Sequence, residues 1–277
     1  MNKIILTFDI EFDKDEFFSE KSQETLFLIL DLLKKNKHKA TFFVVGKLIE
    51  KNPELIKRIF SEGHEIACHG YSHVRLDNFS PQAFEKELKK SIESTKSIIG
   101  KPLFGFRAPY FSINKKTKWV LEILERLGFL YDSSVFPMKT LVYGESKAPL
   151  AIYPVSVKDF AKKDESSKLT EVPVSIFKLG PIKFPASGGV YFRLIPFWIL
   201  KRLLQRIQKS RQAVIYLHIH DLHESGIRPP GNFLLRKIRS YGRKKGLAKF
   251  KLLLQIFQFD SVENVLFYDN KFTSKRG

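Results

Sequence analysis

The chain has a single cysteine, Cys68, in 277 residues, so no intramolecular disulfide can form and nothing marks an oxidising compartment. A chain of this size buries about three quarters of its unfolded surface and can be held by its core alone. Long apolar runs are missing as well. The stretch 194–204 is broken by Lys201 and Arg202 and falls short of the roughly 20 residues a spanning helix needs. At the N-terminus acids arrive before any apolar stretch of useful length, which argues against a signal peptide. The expectation is a cytoplasmic protein.

Negative charge is scarce. The formal net charge is +19, and residues 172–220 hold no Asp or Glu. Such a field attracts polyanions: nucleic acid, anionic lipid headgroups or phosphorylated glycans. The plainer reading is a lysine-rich composition with basic surfaces throughout. No recognised nucleic-acid motif accompanies the charge, which argues against nucleic acid as a partner. Within the acid-free stretch, residues 196–209 place Phe197, Leu200, Leu203, Leu204 and Ile207 on one side of a helix. Lys201, Arg202, Arg206 and Lys209 are left to face elsewhere. This is either a barrel helix packed on its own core or a peripheral contact with the inner membrane face or a phosphate-linked glycan.

What the chain does have is a rhythm. Residues 3–8, 40–45, 65–68, 103–106 and 129–132 read as strands. Helical periods fill 24–37, 47–61, 80–100 and 114–127 between them. Ser80-Pro81 supplies a cap and a first-turn proline, and Gly63 and Gly128 supply stops. Alternation of this kind predicts a parallel sheet or barrel with helices outside. Residues 137–190 change character toward proline, glycine, aromatic and β-branched residues. They read as a β-rich insertion with short strands at 151–157 and 169–177. Helical periods return at 196–209 and 244–257, and strands at 213–217 and 264–267. No linker or repeat interrupts the chain, so a single domain over 1–277 is expected.

Titratable residues gather where the strands end, the usual place for sites in parallel α/β architectures. After the first strand come Asp9, Glu11 and Asp13. If the extension continues, their alternation sends all three carboxylates the same way. His69 and His73 follow the third strand. In a helical turn, side chains four apart lie about 5–6 Å from each other, so both imidazoles could reach one ion. Two neutral histidines and a carboxylate suit zinc, with cobalt, nickel or iron(II) as alternatives, and leave positions open for water and substrate. Arg107 ends another strand and can pair with a carboxylate, with Pro109 fixing the turn after it. Asp132 ends the next. His218 follows the strand at 213–217, with His220, Asp221 and His223 behind it.

Taken in order, the segments TFDIEFD (7–13), ATFFVVGKLIEKNPELIKRIFSEGHEIACHGYSH (40–73), GFRAPYFSI (105–113), YDSSVFP (131–137), PASGGVYFRLIP (185–196) and IYLHIHD (215–221) resemble the NodB-type polysaccharide deacetylases, carbohydrate esterase family 4. The likeness covers nearly the whole chain. It is nearer the subgroup associated with exopolysaccharide and cell-surface glycan assembly. The resemblance implies an α/β fold, a distorted (β/α) barrel of about seven strands. It also implies a metal-dependent hydrolase that removes N-acetyl groups from amino sugars of a polysaccharide or glycan precursor. A related hydrolase of O-acetyl, formamide or other C–N bonds, or a basic glycan-binding protein without catalysis, are the alternatives.

By the same resemblance Asp9 is the catalytic base and Arg107 holds it. His69 and His73 ligate the metal, zinc first. Tyr110 lends its backbone N–H to the oxyanion, and His218 is the general acid with Asp132 tuning or orienting it. Two places depart from the family pattern. Ile10 stands where a second, metal-binding aspartate is common, so the acidic ligand falls to Glu11 or else Asp13. The last histidine is followed by Ile219-His220-Asp221 where the subgroup tends to have Pro-Trp-Glu.

Overall fold

The computed structural model describes residues 3–12, 18–140, 142–223, 237 and 240–268. Its centre is β1 (Ile4–Ile10), every residue of which is buried, as a parallel strand covered on both faces must be. β1 lies between β2 (Thr41–Val44) and β10 (Val214–His218), parallel to both, and its first residues also pair with β11 (Phe259–Asp260). Outward from β2 follow β3 (Glu65–Cys68), β4 (Gly105–Phe106), β5 (Tyr131–Asp132), β7 (Thr170–Glu171) and finally β6 (Tyr153–Pro154). Among the described residues, β10-β1-β2-β3-β4-β5-β7 form one parallel succession, and β6 runs antiparallel at its edge. That is the barrel of about seven strands implied by the sequence.

The sheet curls. Between β7 and β10 no ladder joins the two sides among the described residues. Ser175 and Ser187 bridge them: Ser175 exchanges bonds with Val214 through its backbone N–H (3.0 Å) and Oγ (2.8 Å), and Ser187 Oγ accepts from Tyr216 N–H (2.9 Å). The two faces of the sheet separate by the period-2 rule. Ile5, Phe43, Ala67, Tyr131, Val172 and Val214 fill the inner face. Ile4, Leu6, Phe8, Ile10, Phe42 and Val44 pack outward on Leu26, Ile29 and Leu30 of α1 (Glu20–Lys35) and Phe250 of α8 (Arg243–Ile256).

Several elements differ from the sequence reading, each for a local reason. The helix expected over 47–61 is two, α2 (Gly46–Lys51) and α3 (Pro53–Ser61), because Pro53 has no N–H to continue the ladder and Asn52 leaves helical geometry at φ −135°. Residues 137–190 are not all insertion: β7 belongs to the barrel, and only the hairpin of β8 (Ile176–Leu179) and β9 (Ile182–Pro185) forms a sheet of its own. The segment expected as a last strand at 264–267 is a π-helical turn, Asn264–Tyr268, and β11 precedes it.

The remaining helices, α4 (Pro81–Ile99), α5 (Trp119–Arg126), α6 (Gly189–Leu194) and α7 (Phe197–Gln208), complete the cover. α4 starts with Ser80 Oγ accepting from Ala83 N–H and ends at Gly100 in the left-handed region. α7 buries Leu200, Leu204 and Ile207 on the core, the barrel-helix arrangement. Among the described residues no helix is long and apolar enough to cross a membrane.

Candidate active site

Register places the first two functional groups together. Asp9 on β1 is directly opposite His218 on β10 and Phe43 on β2. Partners in a parallel ladder share a face, and Phe43 belongs to the inner one. Asp9 and His218 therefore both point into the curl at the C-terminal ends of their strands. Glu11, two residues beyond Asp9, continues the same side. Arg107 follows Phe106, which faces the helices, so Arg107 turns inward.

Arg107 is fully buried and makes four hydrogen bonds. It donates to Asp9 Oδ1 (2.6 Å), Thr7 Oγ1 (2.9 Å), Ser133 O (3.1 Å) and Ser133 Oγ (2.8 Å). Its guanidinium lies 4.1 Å from the centroid of the Phe43 ring. A buried ion pair is worth its desolvation only when satisfied in this way. The pair fixes Asp9 in one orientation, with Oδ2 left toward His218.

Beside it lies a ligand set. Oxygen and nitrogen atoms of Glu11, His69 and His73 all fall within 4.8 Å of one another, and His73 Nε2 is 2.6 Å from Glu11 Oε2. His69 Nδ1 is 2.8 Å from the Arg107 carbonyl oxygen. A carbonyl can only accept, so Nδ1 carries the proton and Nε2 is a free lone pair, the arrangement seen in metal-ligating histidines. Burial pushes the His69 imidazole down to about 4, against the pull of Asp9, so it is neutral as a ligand must be. Burial pushes Glu11 up, but the charge of His218 and the hydrogen bond to His73 together outweigh it and hold the carboxyl well below its ordinary range. Two imidazoles and one ionised carboxylate fit a divalent ion of the zinc type. Asp13 lies outside the described residues.

The two histidines do not meet on a helix, as the spacing suggested. Residues 69–73 form a loop, with Gly70 at φ 73° and His73 itself at φ 56°, and the rings sit 5.1 Å apart. The loop is pinned on both sides: Gly70 O accepts from Gly46 N–H (2.9 Å), and Glu87 Oε2 accepts from the N–H and hydroxyl of Ser72 (3.1 and 2.7 Å). A Cβ on Gly46 would come within 2.6 Å of Tyr71, so only glycine allows α2 this close. Tyr110 (φ 60°) and Phe111 (φ 48°) are also left-handed, and the Tyr110 ring, half exposed, stacks obliquely on His73 at 4.8 Å. Left-handed non-glycine residues cost about 1–3 kcal/mol each and gather at functional sites.

His218 sits at the rim. Its Nε2 is 3.9 Å from Asp9 Oδ2 and 3.7 Å from Glu11 Oε1. Burial alone would lower its pKa, but the Glu11 charge and the Asp221 hydrogen bond raise it to about 9. His220 stacks on it at 4.7 Å.

Asp132 is not among these groups. It pairs in register with Phe106 and Glu171, on the face toward the helices, where its Oδ1 accepts from Ser134. The carboxylate against His218 is instead Asp221, Oδ2 to Nδ1 3.3 Å. Strand parity decides this, and sequence alone did not give the register between 105–106 and 131–132. Ser133 and Arg193 are the other residues the sequence reading did not single out. Ser133 is marked only by following Asp132 on the inward parity.

The comparisons with known proteins bear on the family and the fold. The polysaccharide deacetylase family model matches residues 1–131. Those residues form a polysaccharide deacetylase domain. A second model, a domain of unknown function (DUF3473), matches residues 133–267. Strands from both stretches share the deacetylase sheet, since β5 pairs with β7 and β1 with β10.

Among curated proteins, a peptidoglycan deacetylase of Helicobacter pylori is 32% identical over 165 residues, 56% of this chain and 55% of that protein. A peptidoglycan-N-acetylglucosamine deacetylase of Bacillus cereus is 38% identical over 95 residues, 34% of each. The chain thus spans between about a third and about half of the length of these relatives. Among solved structures, a Mycobacterium smegmatis protein assigned to the polysaccharide deacetylases superposes with TM-score 0.59 at 19% identity, covering 99% of this chain and 92% of that one. A pseudoenzyme of carbohydrate esterase family 4 from Bacillus anthracis has TM-score 0.51 at 15% identity, covering 95% and 64%. The deacetylase fold therefore occurs without activity, so the fold alone does not decide activity.

Proposed function

We propose that the chain is a metal-dependent hydrolase that removes acetyl groups from N-acetylated amino sugars of a glycan, acting as a single domain over 1–277. The observation that carries this reading is one juxtaposition. A ligand triad, Glu11, His69 and His73, lies within 4.8 Å beside a separate carboxylate, Asp9, that Arg107 already holds. This arrangement supports separate groups for ligation and for proton abstraction, which suits amide hydrolysis by activated water.

A divalent ion held by the triad, zinc first, supplies Lewis acidity toward the acetyl carbonyl and toward water. Asp9, with Oδ1 bound by Arg107, takes the proton of the attacking water on Oδ2. The backbone N–H of Tyr110 is offered to the oxyanion that forms, a contribution of about 3–4 kcal/mol for one such donor. As the C–N bond breaks, His218 gives a proton to the departing amine, which leaves acetate and a free amino sugar. The Asp221 carboxylate, 3.3 Å from Nδ1, favours the protonated imidazole that this step needs. The names of the relatives, peptidoglycan deacetylases, support a polymer of N-acetylated sugars such as peptidoglycan as the substrate class.

The test is acetate release from N-acetylglucosamine oligomers and from O-acetylated glycan, before and after chelation. The proposal expects acetate from the N-acetylated oligomers, lost with the chelator and restored by zinc. Release from the O-acetylated material alone, or release indifferent to chelation, contradicts it.

A further inference from the structure

His218 is held from behind by a buried ion pair. Asp221 is fully buried and Arg193 nearly so, and Arg193 Nε donates to Asp221 Oδ1 at 2.9 Å. The other carboxylate oxygen, Oδ2, accepts from the backbone N–H of His218 at 2.9 Å and lies 3.3 Å from its Nδ1. Asp221 closes the short 3-10 turn Ile219–Asp221, of which His218 is the cap. Arg193 comes from the last turn of α6 and also donates to the Tyr241 carbonyl oxygen at 2.5 Å. Gly188 lets this element approach. A Cβ on Gly188 would overlap the Tyr216 ring at 1.9 Å, whereas one on Gly189 would meet Asp221 and His218 only at ordinary contact distance.

His218, His220 and Asp221 could also be taken for a second cation site, since their donor atoms cluster. The bonding argues otherwise. Both oxygens of Asp221 are already committed, one to a guanidinium, and a cation beside Arg193 would face a buried like charge. What the arrangement does provide is an oriented imidazole. With Nδ1 turned to Asp221, Nε2 is directed at Asp9 and Glu11.

We propose that Asp221 and Arg193 are positioning residues: Arg193 fixes the Asp221 carboxylate, and Asp221 fixes the His218 ring with Nε2 toward the scissile bond. This rests on the reading of His218 as proton donor to the leaving amine. The same logic holds a catalytic imidazole in hydrolytic triads, here built from a residue three positions along a turn and a helix that packs on it.

Leaving-group dependence separates positioning from a structural role. The sugar amine needs a proton to depart, whereas the phenolate of 4-nitrophenyl acetate does not. In zinc-loaded protein, Asp221→Asn is expected to lower kcat for deacetylation of N-acetylglucosamine oligomers about 100-fold, the order a general acid contributes. KM and zinc stoichiometry should stay near wild type, and the loss on 4-nitrophenyl acetate should be at least tenfold smaller. Arg193→Lys, which keeps the cation, should lie between wild type and Asp221→Asn in that ratio. The double variant His218→Ala/Asp221→Asn should be no slower than His218→Ala, because residues acting as one unit are not additive. If His218→Ala favours the aryl ester but Asp221→Asn slows both substrates equally, or the double variant is slower still, the positioning role falls while the parent reading stands. If His218→Ala itself slows both equally, the proton-donor reading falls and this one with it.

Discussion

Arg107 offers the sharpest test of how the site is held, and the size of the effect can be worked from its contacts. Arg107→Met keeps the length of the side chain and removes every donor. Asp9, only 2% exposed, is then a buried carboxylate without its cation. Thr7 Oγ1, Ser133 O and Ser133 Oγ lose a partner each. Removing one member of a buried pair costs about 3–5 kcal/mol because the other charge is left uncompensated. For a chain of this size that is a fall in Tm of roughly 10 °C. Asp9→Asn is the control. The amide oxygen can still accept from Arg107, whose bonds to Thr7 and Ser133 remain, so the guanidinium loses its counter-charge but no hydrogen bond, and the expected cost is at the low end of the same range, about 3 kcal/mol. Urea denaturation of the wild type and both variants, with metal removed, reads the difference. An Arg107→Met protein within about 1 kcal/mol of wild type, or one more stable than Asp9→Asn, would refute the claim that this pair organises the buried end of the barrel.

Other predictions follow from single residues. Gly105→Ala places a Cβ 1.9 Å from Tyr131 Cζ, so Tyr131 must move off its bond to Glu65 (2.8 Å). A loss of about 1–3 kcal/mol in thermal or urea unfolding is expected. Asp132 and Glu171 form a buried carboxyl pair. Burial raises Asp132 to about 6, and burial with the neighbouring Asp132 charge raises Glu171 further above its usual range. Groups whose folded pKa is raised contribute stability that is complete below the unfolded value and lost as pH rises through the folded one. Wild type should therefore lose stability from about pH 5 upward more steeply than Glu171→Gln, as measured by urea midpoints across pH. Parallel slopes would show that the pair does not titrate there. Glu11→Gln should weaken zinc binding at least tenfold in calorimetric titration, and unchanged affinity would move the acidic ligand elsewhere.

Most of the barrel was legible because its signals are local. The apolar strand β1, the Ser80 cap and the Gly100 stop act through nearest neighbours, and strand-end chemistry could be read from Asp9, Arg107 and His218 directly. What escaped depended on register or on backbone outside the common regions. Whether Asp132 faces the curl or the helices turns on its pairing with Phe106, and a slip of one residue reverses it. His69 and His73 do lie close together, but left-handed backbone at Gly70 and His73 brings them there, not a helical turn. Asp221 was visible behind His218, but its partner Arg193 lies 28 residues earlier, and no local pattern links the two. The split at Pro53 was readable from the residue itself.

The central claim is that metal ligation and proton abstraction belong to different carboxylates and that the loop histidines complete the ligand set. Zinc titration of the metal-free wild type, His73→Ala and Asp9→Asn, with acetate release measured on the same samples, tests it most directly. The account predicts one zinc per chain for wild type and Asp9→Asn, with turnover in the first only, and no tight zinc in His73→Ala. Loss of zinc in Asp9→Asn with its retention in His73→Ala would contradict it.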